Sequence, residues 1–317
     1  MNLDALVRPG TDTGRFFLVD YLPTYAAGLM LASLVSAGAP GPLEAERVWR
    51  TASGLGVGQI VFAALAMTLL AVLFHPLQLP LVRLLEGQWP ALLAPLTRWS
   101  RRRQINARRR LAALEGAVED ALEELPDGDA PLDEARIQAA GHAGTLRRIR
   151  FPAEELCRPT GLGNVLAAME TGAGDAYGYD AVVAWPRLYP VLGNPVRSIV
   201  DDRRNVLDAT ARLSVIMAVT GLAALALLAF SGWAVLLAAI PLAVAWIAYR
   251  AAIHAAMAYS EAVVAAFDLH RFDLTAALHL PLPADDATER LANARLCDSW
   301  RQGLENPTEY EHRDGLP

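Results

Sequence analysis

The side chains that could do chemistry are few and far apart in this sequence. Neither cysteine, Cys157 or Cys297, has a histidine near it, and the six histidines are scattered. All 28 basic residues are arginines, which excludes a P-loop lysine, a Schiff-base lysine and a kinase ATP-binding lysine. The hydrolase, zinc-protease and paired-cysteine motifs do not occur. We therefore predict that the chain is not an enzyme and that it carries no cofactor and no metal.

A glycine-rich segment at residues 159–190 is the most unusual part of the sequence. Its glycines, at 161, 163, 172, 174 and 178, could present backbone N–H groups to a phosphate. Their spacing matches no nucleotide-binding motif, so turns around short helices are the favoured interpretation. The same segment holds Tyr177, Tyr179, Trp185 and Tyr189 beside Arg187, a composition that favours a structural cluster or a contact surface.

This segment, together with the run Leu85-Glu86-Gly87-Gln88-Trp89, resembles a group of uncharacterised bacterial multi-span membrane proteins. The resemblance is diffuse, covers about half of the chain and brings no activity with it. The abundance of alanine, arginine, glycine and proline without lysine is also typical of a GC-rich bacterial genome.

The hydrophobic residues are concentrated in windows that could cross a membrane. The chain is 54% hydrophobic and 20% charged, with a mean hydropathy of +0.26, whereas soluble domains carry about 25% charged residues. No residue between Arg212 and Arg250 is charged. Since a spanning helix needs about 20 apolar residues, this stretch predicts two spans, 213–230 and 233–249, that meet at Ser231-Gly232. A single bent helix buried in a soluble protein is the alternative, and ordinary helix lengths make it the weaker one.

Two further spans are predicted nearer the N-terminus. One covers residues 55–74 and ends at His75-Pro76, and the other covers residues 21–37 and ends in a Gly/Pro-rich turn. A signal peptide is the alternative for the latter, but acidic residues dilute its basic start and its apolar run is long. Asp20 and Gln59 are the candidates for functional polar residues within these spans. Gly54 and Gly58 have the GxxxG spacing of a helix-packing site.

The arginines predict the orientation of these spans. Most of them lie between Arg83 and Arg212, and connections rich in arginine stay in the cytoplasm. Residues 1–20, 99–205 and 284–317 are then cytoplasmic. The predicted fold is all-α: a multi-pass protein of the bacterial inner membrane with four transmembrane helices, both termini inside and a helical cytoplasmic body.

Residues 76–98 are rich in leucine and proline, which predicts an amphipathic elbow at the inner membrane surface. We expect this elbow and the basic run after it to contact anionic lipid headgroups. The candidates for lipid contact are Trp89, Trp99, Arg101, Arg102, Arg103, Arg108, Arg109 and Arg110. A nucleic-acid-binding arm is the alternative, and the net charge of −6 argues against it.

The sequence also predicts the helices of the cytoplasmic body. Residues 98–125 and a second helix that ends near Arg147-Arg148 are expected to form a hairpin. Asn194-Pro195 is typical of a helix start, so the third span should begin with a cytoplasmic stalk, and the fourth should continue as a stalk through residues 250–281. The tail holds one expected helix, from Asp285 to Gln302.

Antiparallel pairing of the two stalks places Asp208 opposite His254. A metal site between the stalks is the alternative to an ion pair, and carboxylate and imidazole ligands would suit it.

We predict that the protein is a non-enzymatic membrane anchor or scaffold for a cytoplasmic protein partner, because this function needs no motif that is missing from the sequence. A channel is the alternative. Because four spans are too few to enclose a pathway, a channel would require a homo-oligomer, and spans three and four offer little polar lining.

Overall fold

The computed structural model describes residues 12–123, 134–303 and 310–311, with only the backbone described for residues 12–21, 70–71, 73–79 and 118–123. No strand occurs among these residues, so the predicted all-α class is confirmed for the described part of the chain. The α-helices are α1 (Asp12–Ser36), α2 (Ala45–Ser53), α3 (Val57–Leu85), α4 (Ala94–Glu123), α5 (Glu134–Arg150), α6 (Gly161–Gly172), α7 (Ala181–Leu188), α8 (Asn194–Leu228), α9 (Ala239–Ala277) and α10 (Asp286–Gln302).

The chain divides into two units. We call the first, Met1–Arg83 with Asp208–Ala252, the apolar unit. The second, Leu84–Leu207 with Ile253–Pro317, is called the body unit. Both α8 and α9 contribute residues to each unit.

Two helical stretches, Asn194–Leu228 and Gly232–Ala277, are long and apolar enough to cross a membrane. A third candidate arises only if α2 and the first part of α3 count as one span, and these two are bent by 109°. The apolar part of α1 whose side chains are described, Leu22–Ser36, is shorter than a span. The fold therefore supplies two or three candidate spans where the sequence predicts four.

The break at Ser231-Gly232 lies where the sequence predicts it. Helix α8 ends at Leu228, and Gly232 adopts a φ of +62°, which glycine tolerates without strain. A 3₁₀ helix, Gly232–Ala238, follows, so that α9 begins at Ala239 rather than at residue 233. Pro241 lies in the first turn of α9, where its missing N–H leaves no bond unmade.

Small residues and backbone acceptors hold the apolar unit together. Leu34 of α1 packs with Ala224, Leu228 and Ala238 in a buried cluster. The hydroxyl of Ser231 donates to the carbonyl of Gly41 across 2.8 Å, which ties the turn after α1 to the turn after α8.

Helix α3 extends further than the sequence suggests. His75-Pro76 does not end it, and it continues through Pro80 to Leu85. The predicted elbow at 76–98 is therefore no single element: it comprises the end of α3, the turn at residues 86–90, the 3₁₀ turn Ala91–Leu93 and the start of α4. Proline is tolerated inside a helix where neighbouring structure supports the freed backbone groups.

In the body unit, α4 and α5 form the predicted hairpin. Glu115 of α4 accepts from Arg147 Nε of α5 across 2.6 Å, and Gly144 lets the carboxylate approach the backbone of α5 closely. Helix α4 begins at Ala94, slightly before the predicted start. The break predicted at 126–131 lies outside the described residues.

The core of the body unit is built from α6, α7, α8 and α9, with Leu162, Leu188, Phe267 and Leu274 almost fully buried. Helix α9 ends before Pro281, in a turn where His279 has a φ of +56° and the N–H of Leu280 bonds back to the carbonyl of Thr275.

The ends of α10 fit the prediction closely. The Asp285 carboxylate accepts from the N–H of Thr288 at the start of the helix, across 2.8 Å, and Gly303 ends it in the left-handed region.

Candidate functional site

The basic run on α4 is divided between two faces of the helix. Arg101 donates from Nε to the carbonyl of Cys157 (2.9 Å) and from Nη2 to that of Glu155 (2.6 Å). Arg108 donates from Nε to the carbonyl of Pro152 across 3.0 Å. These side chains are used inside the body unit, where they satisfy the carbonyls of the segment that follows α5.

A third arginine of the run, Arg109, is also used within the unit. It forms a bidentate ion pair with Glu154, whose Oε2 lies 3.1 Å from Arg109 Nε. The hydrogen bond from Arg109 lowers the pKa of the Glu154 carboxyl and raises the pKa of the guanidinium. Glu154 therefore remains ionised near neutral pH, so this arginine is already paired with a charge.

Arg103 and Arg110 lie on the face of α4 opposite Arg101. Arg102 lies at the edge of that face, beside Arg109 in projection down the helix. This face, which we call the outer stripe, lines a shallow groove of about 480 Å³. The residues of the outer stripe are Trp99, Arg102, Arg103, Asn106, Ala107 and Arg110. Their spacing of three to four residues is that of one helix face.

The outer stripe is exposed and positively charged. Trp99 is 59% exposed, and the guanidinium carbon of Arg103 lies 5.9 Å from the centroid of its ring, which is a cation–π distance. Among the described residues no carboxylate forms a salt bridge with Arg102, Arg103 or Arg110. The stripe can therefore bind an anionic group without first breaking an ion pair seen in the structure.

Trp89, the first lipid-contact candidate, has a different environment. It is half-buried, and its indole N–H donates to the carbonyl of Leu84 across 2.8 Å. This bond satisfies one of the carbonyls that the end of α3 leaves unpaired.

The glycines of residues 159–190 serve the local fold, as the favoured interpretation predicts. Thr160 Oγ1 accepts from the N–H of Gly163 at the start of α6, and the carbonyl of Glu86 lies so close that a Cβ at position 163 would overlap it. Gly174 and Gly178 both have a φ of +78°. The start of α6 is therefore covered by the chain itself, which argues against a phosphate there. The contact between Gly163 and Glu86 also joins residues 159–190 to residues 85–89, the two segments that carry the sequence resemblance.

The aromatic residues of this segment pack against α9 and α10. The guanidinium of Arg271 lies over the rings of Tyr177 (4.1 Å) and Phe272 (4.3 Å). Its Nε donates to Glu289 of α10 across 2.9 Å, and Glu289 is only 5% exposed. Burial raises the pKa of Tyr179 to about 12. These contacts form a structural cluster that holds α10 against the rest of the body unit.

Both cysteines are buried thiols. Burial raises the pKa of Cys297 to about 11 and raises that of Cys157 as well. Because the thiolate is the nucleophile, neither side chain is activated near neutral pH. The groove of about 520 Å³ beside Cys297 is lined by Asp180 and Arg301, which pair with each other. Within the described ranges, no group of three His, Cys, Asp or Glu residues could hold a metal ion.

The candidates before and within the predicted span 55–74 lie at helix ends. Gln59 lies in the first turn of α3 and accepts from the N–H of Gly56 across 3.0 Å, so it caps that helix. Gly54 follows α2 and Gly58 lies in α3. The two glycines do not share one helix, so the predicted GxxxG face is not formed. Asp20 lies on α1, in the part for which only the backbone is described.

Asp208 and His254 lie on α8 and α9 as expected, both with exposed side chains. Their pairing stays a prediction. Within the apolar unit, Ser214 Oγ donates to the carbonyl of Ala245 across 3.0 Å. Extended along both helices, that register places Ala251 opposite Asp208, about one turn from His254.

Helix α2 is a feature that the sequence reasoning missed. It has no buried residue, and its Trp49 is 76% exposed. The signal was the repeat Ala45, Val48, Trp49, Ala52 on one face, with charged residues between. Such a short amphipathic helix suits a membrane–water interface.

No family model, curated protein or solved structure matches this chain. The resemblance noted from the sequence stays a prediction, and the function has to be inferred from the two units themselves.

Proposed function

We propose that the protein is an integral membrane anchor in which the apolar unit spans the bilayer and the body unit is a cytoplasmic platform for a protein partner. The observation that carries this proposal is the large apolar side chains on the outside of the apolar unit. On α8 and the stretch after it, Leu222 is 63% exposed, Phe230 87% and Trp233 80%. In water such a surface would favour aggregation, whereas lipid tails solvate it.

The same outward exposure occurs on the other helices of the apolar unit. Trp246 and Ile247 of α9 are 62% and 59% exposed, and Phe62 and Leu69 of α3 are 73% and 70% exposed. Apolar side chains all round a helix are what a lipid environment demands.

Several hydroxyls in the described part of the apolar unit are paired within that unit, as lipid also requires. Ser214 and Thr220 are 3% and 2% exposed, and both hydroxyls donate to backbone carbonyls, those of Ala245 and Ile216. Tyr25 of α1 and Thr68 of α3 share a hydrogen bond. Because the hydroxyls of Ser214 and Thr220 donate to backbone carbonyls, they are not available to line a water-filled pore. This favours an anchor over a homo-oligomeric channel.

The proposed topology has four spans, in α1, α3, α8 and α9. Arginine asymmetry supports a cytoplasmic location for residues 84–207 and for both termini. Helix α2 would then lie at the outer surface of the bacterial inner membrane.

A matched pair of arginine substitutions tests membrane insertion. Leu222→Arg places a charge on the exposed face of α8, whereas Leu291→Arg changes a leucine that is 54% exposed on α10 of the body unit. An arginine at the centre of a spanning helix costs about 2.5–3.5 kcal/mol. We expect Leu222→Arg to reduce the fraction of protein that resists alkaline extraction from membranes, with Leu291→Arg like the unchanged chain.

Release of the unchanged chain by alkaline extraction would refute the proposal, as would equal retention of the two variants. Ion flux through reconstituted protein would instead favour the channel.

A further inference from the structure

We infer that the outer stripe of α4 binds the phosphates of anionic lipids and holds the body unit against the membrane surface. The inference rests on the proposed membrane location and names the ligand of one surface of the body unit. Lipid binding is assigned to the outer stripe alone and not to Arg101, Arg108 and Arg109.

The division of the arginines is the first observation behind it. Arg101 and Arg108 are committed to backbone carbonyls, and Arg109 is paired with Glu154. The side chains of Arg102, Arg103 and Arg110 are exposed and belong to the outer stripe. A contact that used the whole basic run would have to break the first set of bonds, whereas a contact with the outer stripe breaks none of them.

The second observation is the chemistry of the groove that these residues line. Guanidinium groups bind phosphate oxygens through forked N–H pairs. Trp99 adds an amphipathic ring of the kind that is enriched at membrane interfaces. Asn106 lies between the arginines and supplies a further N–H donor. Together these residues fit the phosphate, ester and upper acyl region of an anionic lipid.

The place of the stripe in the chain favours a lipid over other polyanions. Helix α3 ends at Leu85, and Trp99 follows within a short distance along the chain. A helix that begins so soon after a proposed span lies within reach of the headgroups. Each arginine near an anionic membrane surface contributes about 1 kcal/mol to the binding free energy, which corresponds to about a fivefold change in affinity.

The test uses the full chain in detergent, with Cys157 and Cys297 replaced by serine. An environment-sensitive dye is attached to Leu114→Cys, an exposed position one turn beyond the outer stripe. Micelles doped with phosphatidylglycerol, micelles doped with phosphatidylcholine and buffered inorganic phosphate are the three titrants. We expect a saturable change of dye emission with phosphatidylglycerol, and salt should raise the lipid concentration needed for half saturation. Phosphatidylcholine and inorganic phosphate should cause no such change.

The variants separate the stripe from net charge. Arg102→Gln/Arg103→Gln/Arg110→Gln should weaken the response to phosphatidylglycerol by about a hundredfold. The control, Arg136→Gln/Arg203→Gln/Arg295→Gln, removes three exposed arginines elsewhere in the body unit and should stay within about twofold of the parent. Lysine at the three stripe positions should give an affinity between those of the parent and the glutamine variant, because the charge remains but the forked N–H pairs are lost.

Three results would overturn the inference: equal responses to the two lipids, equal losses in the two glutamine variants, or saturation by inorganic phosphate alone. Alkaline extraction of membranes reports on the proposed function separately. A chain that resists extraction yet does not distinguish the lipids refutes the lipid site and leaves the membrane anchor in place.

Discussion

At the scale of single residues, close backbone approaches decide what each position tolerates. Gly163 is the clearest case, because the carbonyl of Glu86 occupies the space that a side chain would need. Gly172, at the other end of the same helix, has open space around it. The two glycines look alike in the sequence, but only one of them is constrained by its surroundings.

We predict opposite effects of alanine at these two positions. Gly163→Ala should destabilise the protein by about 1–3 kcal/mol, because the backbone at Glu86 must move. Gly172→Ala should be neutral or stabilising by up to about 1 kcal/mol, because alanine favours the helix. Thermal unfolding in detergent, followed by tryptophan fluorescence, measures both. Equal destabilisation would contradict the packing described here.

The buried thiol of Cys297 gives a prediction about pH. Its folded pKa of about 11 lies above the unfolded value of about 8.5. The folded state therefore keeps a proton that the unfolded state releases. This contribution to stability is complete below the unfolded pKa and is lost as the pH rises toward the folded one.

Maleimide should consequently label Cys297 very slowly in native protein at pH 7–8 and quickly after unfolding. A Cys157→Ser background isolates the signal. Fast labelling of the native chain would show that the thiol is accessible, contrary to its 3% exposure.

At the scale of elements, the sequence predicts helices well where one local signal decides them. Asn194 begins α8 and Asp285 caps α10, as expected, and the charge-free window breaks at Ser231-Gly232. It predicts poorly the end of α3, because a proline disfavours a helix without always ending it, and α3 continues past Pro76 to Leu85.

The faces of α4 show a second limit of prediction from the sequence. Every arginine of the run is equivalent in the sequence. Which of them are committed is decided by the segment after α5, where the carbonyl of Cys157 accepts from Arg101 and Glu154 pairs with Arg109. No local pattern could identify those partners.

The pairing of α8 with α9 is tested by cross-linking. In the cysteine-free chain, Asp208→Cys should form a disulfide with His254→Cys if the antiparallel rule holds along the whole pair. If the register of Ser214 with Ala245 continues instead, Ala251→Cys should be the efficient partner. Non-reducing electrophoresis after mild oxidation reads the outcome. Failure of both pairs would show that the two helices diverge at this level.

At the scale of the whole molecule, the surfaces of the two units differ in polarity. The apolar unit exposes large hydrophobic side chains and pairs its hydroxyls internally, whereas the body unit carries most of the arginines and their ion pairs. Composition and charge placement predict this division from the sequence alone. The number of spans does not follow so directly, because α2 and α3 meet at a sharp bend and the apolar part of α1 whose side chains are described, Leu22–Ser36, is short.

The most direct test of the membrane account is the sidedness of two engineered cysteines in the cysteine-free chain. Glu46→Cys lies on the exposed helix α2, and Gly128→Cys lies in the connection between α4 and α5. A membrane-impermeant maleimide applied to intact cells should label Glu46→Cys, and it should reach Gly128→Cys only after permeabilisation. Labelling of Gly128→Cys from outside, or equal labelling of both sites, would contradict a cytoplasmic body anchored by membrane-spanning helices.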